Sequence, residues 1–236
     1  SHTPSSERAC GGRLEGDWHE PAIVPAPELV KDTMTRICFV RHGETDWNVQ
    51  LRMQGHVDIP LNATGLAQAQ ALGRHFAEGM RADALYSSDL WRARQTAQPI
   101  ADGVGLSVLP LAALRERSFG RCEGLVIAEI LERFAEEAMA MKRRDPDHVP
   151  LGGESRRQHH DRIRACVRQL AEMHPSQTLV VVTHGGVLDL IYRMATGLPI
   201  EAPRNYPIAN AGVNWVGIEG EEWAVESWGE VAHLGR

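Results

Sequence analysis

Two uninterrupted apolar runs stand out along the chain, Ile37-Cys38-Phe39-Val40 and Leu179-Val180-Val181-Val182, and each leads into a His-Gly turn. Runs this short and apolar, bounded by glycine, predict strands buried on both faces. Between them the period changes. Leu66, Ala69, Leu72 and Phe76 recur at three- and four-residue spacing and predict one helix face over about 64–79. Ala84-Leu85-Tyr86 predicts a short strand, and Ser87-Ser88-Asp89 supplies N-cap residues for a helix carrying Leu90, Ala93, Ala97 and Ile100. A weak strand near 106–109 and an acidic-basic helix near 126–142 follow. Gly152-Gly153-Glu154 then opens, through a Ser155/Gln158 capping box, a helix over 156–173. A helix over 186–196 and a hairpin over 213–227 complete the pattern. Strands alternating with helices imply an α/β fold, a three-layer α-β-α sandwich around a mainly parallel sheet.

Residues 1–33 break this rhythm. They hold four prolines, several glycines and serines and little periodicity, so they read as an extended N-terminal tail ahead of one domain over 34–236. Six acids and three bases there supply −3 of the formal net charge of −6. That balance argues against a nucleic acid or an anionic membrane as the main partner, and any basic cluster must serve a local anionic ligand. No apolar run approaches the ~18 residues that span a bilayer. Cys10, Cys38, Cys122 and Cys166 show no paired spacing, and the N-terminus lacks the charged and apolar regions of a secretory signal. A reducing, cytoplasmic setting is therefore expected.

The candidate chemistry sits on the two His-Gly turns, at His42 and His184. Ligands bind at the carboxyl ends of strands in open α/β sheets. If the two apolar strands are neighbours, both imidazoles face one crevice. The helix after Gly185 aims its N-terminus at the same place, a favourable position for phosphate. Position alone leaves two readings open, a shared site or two unrelated loop histidines. His159-His160 cannot share a helix face, and His56, His75, His148 and His174 have no mutual ligand spacing, so no metal site is expected.

Arg41-His42-Gly43-Glu44-Thr45 with Trp47-Asn48 and Gln54-Gly55 resembles the signature of the histidine phosphatase (phosphoglycerate mutase-like) superfamily. Tyr86-Ser87-Ser88-Asp89-Leu90 with Arg92 to Ala97, Leu114 to Arg117 with Glu123-Gly124, Gly152 to Ser155, and Thr183 to Gly186 extend the likeness in the family's order over about 35–233. The resemblance implies that His42 is the nucleophile, forming a phosphohistidine, and that Glu116 is the general acid and base. Arg41, Asn48, Arg92 and His184 would hold the phosphoryl oxygens, with Thr45, Gln54, Gly55, Glu154 and Gly185 around the pocket. Arg92 and Arg94 lie ~200° apart on a helix; the family pattern selects Arg92 for the pocket and leaves Arg94 solvated or structural.

The resemblance further implies a small phosphorylated substrate, no metal and no other cofactor. Phosphoglycerate mutases of the family carry a long basic insertion after the acid motif and use 2,3-bisphosphoglycerate. Here only residues 125–152 separate Gly124 from Gly153, which resembles the phosphatase branch. Arg133, Lys142, Arg143 and Arg144 within it read as a solvated face and a dipole-matching helix end. The alternatives are a cofactor-dependent mutase and a non-catalytic phosphate-binding relative. The alcohol part of the substrate would be chosen by 117–154 and the loops around 205–212. Assembly is open, a homodimer being the family habit.

Overall fold

The computed structural model describes residues 34–235. The expected tail over 1–33 lies outside the described residues. The elements run in the order β1 (Thr35–Arg41), α1 (Asp46–Val49), α2 (Ala63–Ala77), β2 (Ala84–Ser88), α3 (Trp91–Val104), β3 (Val108–Leu111) and α4 (Ile127–Arg133). They continue through α5 (Ala135–Arg143), α6 (Arg156–Met173), β4 (Thr178–Thr183), α7 (Gly185–Thr196), β5 (Val213–Glu219) and β6 (Glu222–Glu230). One six-stranded sheet has the order β3-β2-β4-β1-β5-β6. The pairs β2–β3, β2–β4 and β1–β4 are parallel, and β5 and β6 add an antiparallel flank.

The most apolar strands occupy the centre because both of their faces are covered. Alternation along each strand then sorts the core into two layers. Ile37, Phe39, Tyr86, Leu179 and Val181 pack against Ile163, Val167 and Leu170 of α6 and Val187, Leu188 and Ile191 of α7. Cys38, Val40, Leu85, Val180 and Val182 pack against Leu72 and Phe76 of α2 and Ala93, Ala97 and Ile100 of α3. Cys38 and Cys166 are core residues with free thiols. Pro110 is tolerated in β3 because that strand is an edge.

Four expectations are corrected. Leu66 is exposed while Gln68 is buried. Helix α3 has Leu90, not Asp89, at its N-cap, without a side-chain cap; Asp89 is engaged instead by Arg115, and the Trp91 N–H donates to Asp58. The single helix expected near 126–142 is broken at Phe134, whose φ of −142° and ψ of 62° end α4 and start α5. Phe134 leaves the helical path because its ring packs with Cys122, Ile130 and Ala138 in a small separate core. Arg144 caps α5 at φ +56° and reaches to 3.8 Å from Asp189, so it is not part of a purely solvated helix end. Among the described residues no helix is long and apolar enough to cross a membrane.

The β1 turn is fixed from behind by α2. A Cβ on Gly65 would collide with the Glu44 backbone, and one on Gly43 would lie 2.6 Å from the Gly65 carbonyl oxygen. These glycines are needed for contact with each other, not for approach to a ligand. Alanine in place of glycine inside a helix ordinarily gains about 1 kcal/mol. Gly65→Ala should nonetheless destabilise by about 1–3 kcal/mol, because the added methyl meets backbone and not a movable side chain. Urea denaturation measures it, and a stabilised protein would show that the α2 contact is slack.

Candidate functional site

In the parallel β1–β4 pair, Arg41 stands beside Thr183, so His42 and His184 leave the sheet at the same level. Their rings come to 5.2 Å between centroids. Both side chains are buried. His42 Nδ1 donates to the Gly43 carbonyl at 2.7 Å, which assigns the ring hydrogen to that nitrogen and leaves Nε2 with its lone pair. His184 Nε2 lies 2.8 Å from Ser88 Oγ, and its Nδ1 has no partner.

A cavity of about 250 Å³ opens over these turns, lined by Arg41, His42, Asn48, Gln54, Gly55, Arg92, Glu116 and Gly185 among others. The two guanidiniums are tethered by carbonyls. Arg41 donates from Nη1 to Ile208, and Arg92 donates to Val57 and Gly55. The Nε of each is buried without a partner. Among the described residues neither arginine forms an ion pair, and burial pushes each down to about 10, so both remain charged near neutrality. Buried donors with no acceptor are costly, and an anion would satisfy them.

Asn48 is held by its own helix cap. Its Oδ1 accepts from the Thr45 N–H and hydroxyl and from Asn210 Nδ2, so the amide NH₂ is what it can present to the cavity. Glu116 Oε1 accepts from its neighbour's N–H at Arg117, and Oε2 accepts from Gly186 N–H, the start of α7. Gly186 has no side chain where one would collide with that carboxylate. The α7 N-terminus therefore serves Glu116 as well as the cavity.

Not every residue expected in the pocket lines it. Thr45 is buried behind Asn48 as the N-cap of α1. Glu154 sits behind Glu116, where both its oxygens accept from Arg162; that arginine also donates to the carbonyls of Ala113, Arg115 and Glu116. Arg92 is buried at the site, whereas Arg94 lies exposed over the Trp91 ring. Several residues were given no role by sequence: Ser88 against His184, Asn210 bridging Asn48 and the His42 carbonyl, and Arg204 at the cavity wall. His56 was also set aside, yet its Nε2 meets the Glu116 carbonyl. His159 proves buried, 4.0 Å from Glu116 Oε1. Ser88 stood inside a motif and could have been weighed; the others depend on contacts between distant segments.

Burial, then the charges of Arg92 and Arg41, hold His42 well below the usual histidine range, against a smaller opposing effect of the Gly43 carbonyl. Burial followed by Arg92 does the same to His184, and burial followed by Arg162 to His159. The folded protein thus resists protonating three rings that the unfolded chain protonates near pH 6.5. Their contribution to stability is complete above that pH and is lost as pH falls toward the depressed folded values. The slope is about 1.4 kcal/mol per pH unit for each ring, so about 4 for three. Urea unfolding between pH 7.5 and 5.5 should show stability dropping below 6.5; a flat profile would mean that the rings are charged in the folded state.

The comparisons with known proteins agree with this geometry. Residues 37–231 match the family model of the histidine phosphatase superfamily (branch 1). The chain is 39% identical over 202 residues to phosphoglycerate mutase-like protein 4 of Arabidopsis thaliana, covering 84% of this chain and 86% of that protein. It is also 39% identical over 207 residues to a metal-independent phosphoserine phosphatase of the same plant, covering 87% and 85%. Among solved structures, a mycobacterial glucosyl-3-phosphoglycerate phosphatase with VO3 superposes with a TM-score of 0.73 at 31% identity, over 83% of this chain and 99% of that one. The chain belongs to the histidine phosphatase superfamily, branch 1.

Proposed function

We propose that the protein is a phosphomonoesterase that hydrolyses small phosphate esters through a phosphohistidine on His42. The observation that carries this reading is an imidazole oriented through Nδ1 by the Gly43 carbonyl, held well below the usual histidine range by burial and the charges of Arg92 and Arg41, beside the partnerless Nε donors of those two arginines. A nucleophilic nitrogen needs its lone pair, and the cations that keep it unprotonated are also those that neutralise a phosphoryl group.

In this reading the phosphate enters the cavity over His42. Arg41, Arg92, the Asn48 amide and His184 take its oxygens. With the Ser88 hydroxyl donating to Nε2, His184 carries its hydrogen on Nδ1, the unpartnered atom. His42 Nε2 attacks phosphorus, the bond to the ester oxygen breaks, and Glu116 gives that oxygen a proton. Water then attacks the phosphohistidine and passes its proton to Glu116 as phosphate leaves. Splitting the displacement into two steps lets one carboxyl serve as acid and then as base. Catalysis here is mainly positioning and charge neutralisation.

Hydrolysis is favoured over transfer to a second alcohol because only the short α4–α5 pair stands in the segment where the mutases of the family carry their cover. Two relatives, a phosphoserine phosphatase and a glucosyl-3-phosphoglycerate phosphatase, support the same choice. Among the described residues, the buried free thiols of Cys38, Cys122 and Cys166 support a reducing, cytoplasmic setting.

The deciding assay supplies 3-phosphoglycerate with a trace of 2,3-bisphosphoglycerate and follows both free phosphate and 2-phosphoglycerate. Phosphate release without isomerisation is expected, while bisphosphate-dependent isomerisation would make the protein a mutase. His42→Ala should abolish turnover and acid-labile phosphate on the protein; binding without turnover in the parent chain would leave a non-catalytic relative.

Glu116→Gln separates the two steps. Loss of the acid should slow alkyl phosphates about 10²–10⁴-fold. p-Nitrophenolate leaves without protonation, so p-nitrophenyl phosphate should still give a rapid first turnover followed by slow release. Equal slowing of the first turnover with both substrates would remove Glu116 from the role of acid.

A further inference from the structure

The sheet delivers a third side chain to the two imidazoles. Strand β4 lies between β2 and β1, and both pairings are parallel. Ser87 is the register partner of Val182, as Arg41 is of Thr183. Ser88 therefore leaves β2 on one side of His184, while His42 leaves β1 on the other. Ser88 and His184 are both fully buried, and Ser88 Oγ lies 2.8 Å from His184 Nε2.

The direction of that hydrogen bond follows from its surroundings. A hydroxyl has one hydrogen to give and two lone pairs with which to accept. Ser88 Oγ accepts from the Leu90 N–H at 3.4 Å, a group that can only donate. The Ser87 hydroxyl donates to the Ser88 carbonyl, so it does not compete for the ring. The Ser88 hydrogen is thus directed at His184 Nε2, and the ring carries its own hydrogen on Nδ1, which is buried without a partner. Burial and the Arg92 charge hold this ring well below the usual histidine range, so its tautomer and not its charge sets its polarity.

His42 is fixed in the opposite sense. There a carbonyl, which only accepts, takes the Nδ1 hydrogen and leaves the lone pair on Nε2. The two rings, 5.2 Å apart, carry their hydrogen on the same ring atom but offer opposite polarities at the atom left free. We propose that Ser88 is a positioning residue that locks His184 in the Nδ1–H tautomer. The lock makes His184 a donor to the phosphoryl group and keeps it from acting as a second nitrogen nucleophile. With the hydrogen on Nε2 instead, a lone pair would face an anion, and His184 would compete with His42 for phosphorus. The inference rests on the phosphatase reading for where the phosphate lies, but not for the tautomer.

The first test needs no variant at Ser88. In NMR of protein with isotope-labelled histidine rings, the His184 signals are assigned by their loss in His184→Gln. They should show the hydrogen on Nδ1 at neutral pH, and a hydrogen on Nε2 would overturn the proposal. Ser88→Ala, checked for folding by circular dichroism, should move part of the His184 population to the Nε2–H form. Calorimetry should show inorganic phosphate bound about 10-fold more weakly, the worth of one hydrogen bond to a charged group. The kcat/KM for p-nitrophenyl phosphate should fall by a similar factor. Adding Ser88→Ala to His184→Gln should weaken phosphate binding no further, because the ring through which Ser88 acts is gone. A folded Ser88→Ala protein with an unchanged His184 tautomer would overturn the proposal, as would an equal loss in the His184→Gln background. Either result would make Ser88 merely structural while leaving the phosphatase reading intact. The expected tautomer and weakened phosphate binding, without hydrolysis of any ester by the parent, would sustain the lock and sink the phosphatase reading.

Discussion

The parallel pairing of β1 with β4 is the constraint on which the rest of the site depends. Because Arg41 and Thr183 are register partners, the residues that follow them emerge together, and two imidazoles separated by 142 positions in sequence (184 − 42) meet at 5.2 Å. A shift of one residue would turn either histidine's strand inside out and exchange its two core layers. The register is held by the alternation itself: Ile37 and Phe39 belong to the α6–α7 layer, Cys38 and Val40 to the α2–α3 layer. The chemistry is therefore located by the same burial that stabilises the sheet.

Around that fixed pair the structure accumulates cost. Beside His42 and His184, the buried Arg92 and the partly buried Arg41 have no carboxylate partner among the described residues, and their tethers are backbone carbonyls. Unpaired cations of this kind are costly in the free protein unless an anion offsets them. Rigid tethers matter here because donors already held in place need no reorganisation to meet an acceptor.

Glu116 shows the second half of this design. The loop that carries it runs between two short 3₁₀ turns, Ala112–Leu114 and Gly120–Cys122, and side chains from elsewhere hold its shape. Arg162 collects three of its carbonyls together with Glu154, and His56 meets the Glu116 carbonyl. Glu123 accepts from the N–H groups of His56 and Phe119. The carboxylate itself is seated on two backbone N–H groups, one of them at the start of α7. The carboxylate stands on the wall between the site cavity and a second one lined by Arg117, Arg156 and His159.

The sequence by itself determined the alternation of strands and helices, the two buried central strands, the Ser155 capping box and the two His-Gly turns. Each of these follows from neighbours a few residues apart, through periodicity, capping and turn chemistry. Its family likeness also named Arg41, Asn48, Arg92 and Glu116, which the fold gathers around one cavity. Only the tertiary structure decided what local spacing cannot carry. It moved Glu154 and Thr45 from the pocket to its support, broke the α4–α5 helix at Phe134 for the sake of a small core, and drew Ser88, Asn210 and His56 against the site. It also turned His159, unremarkable on its helix, toward Glu116 and the arginines of a second cavity. Those placements depend on which segments pack together and on how their charges then balance, and both are set by burial across the whole chain.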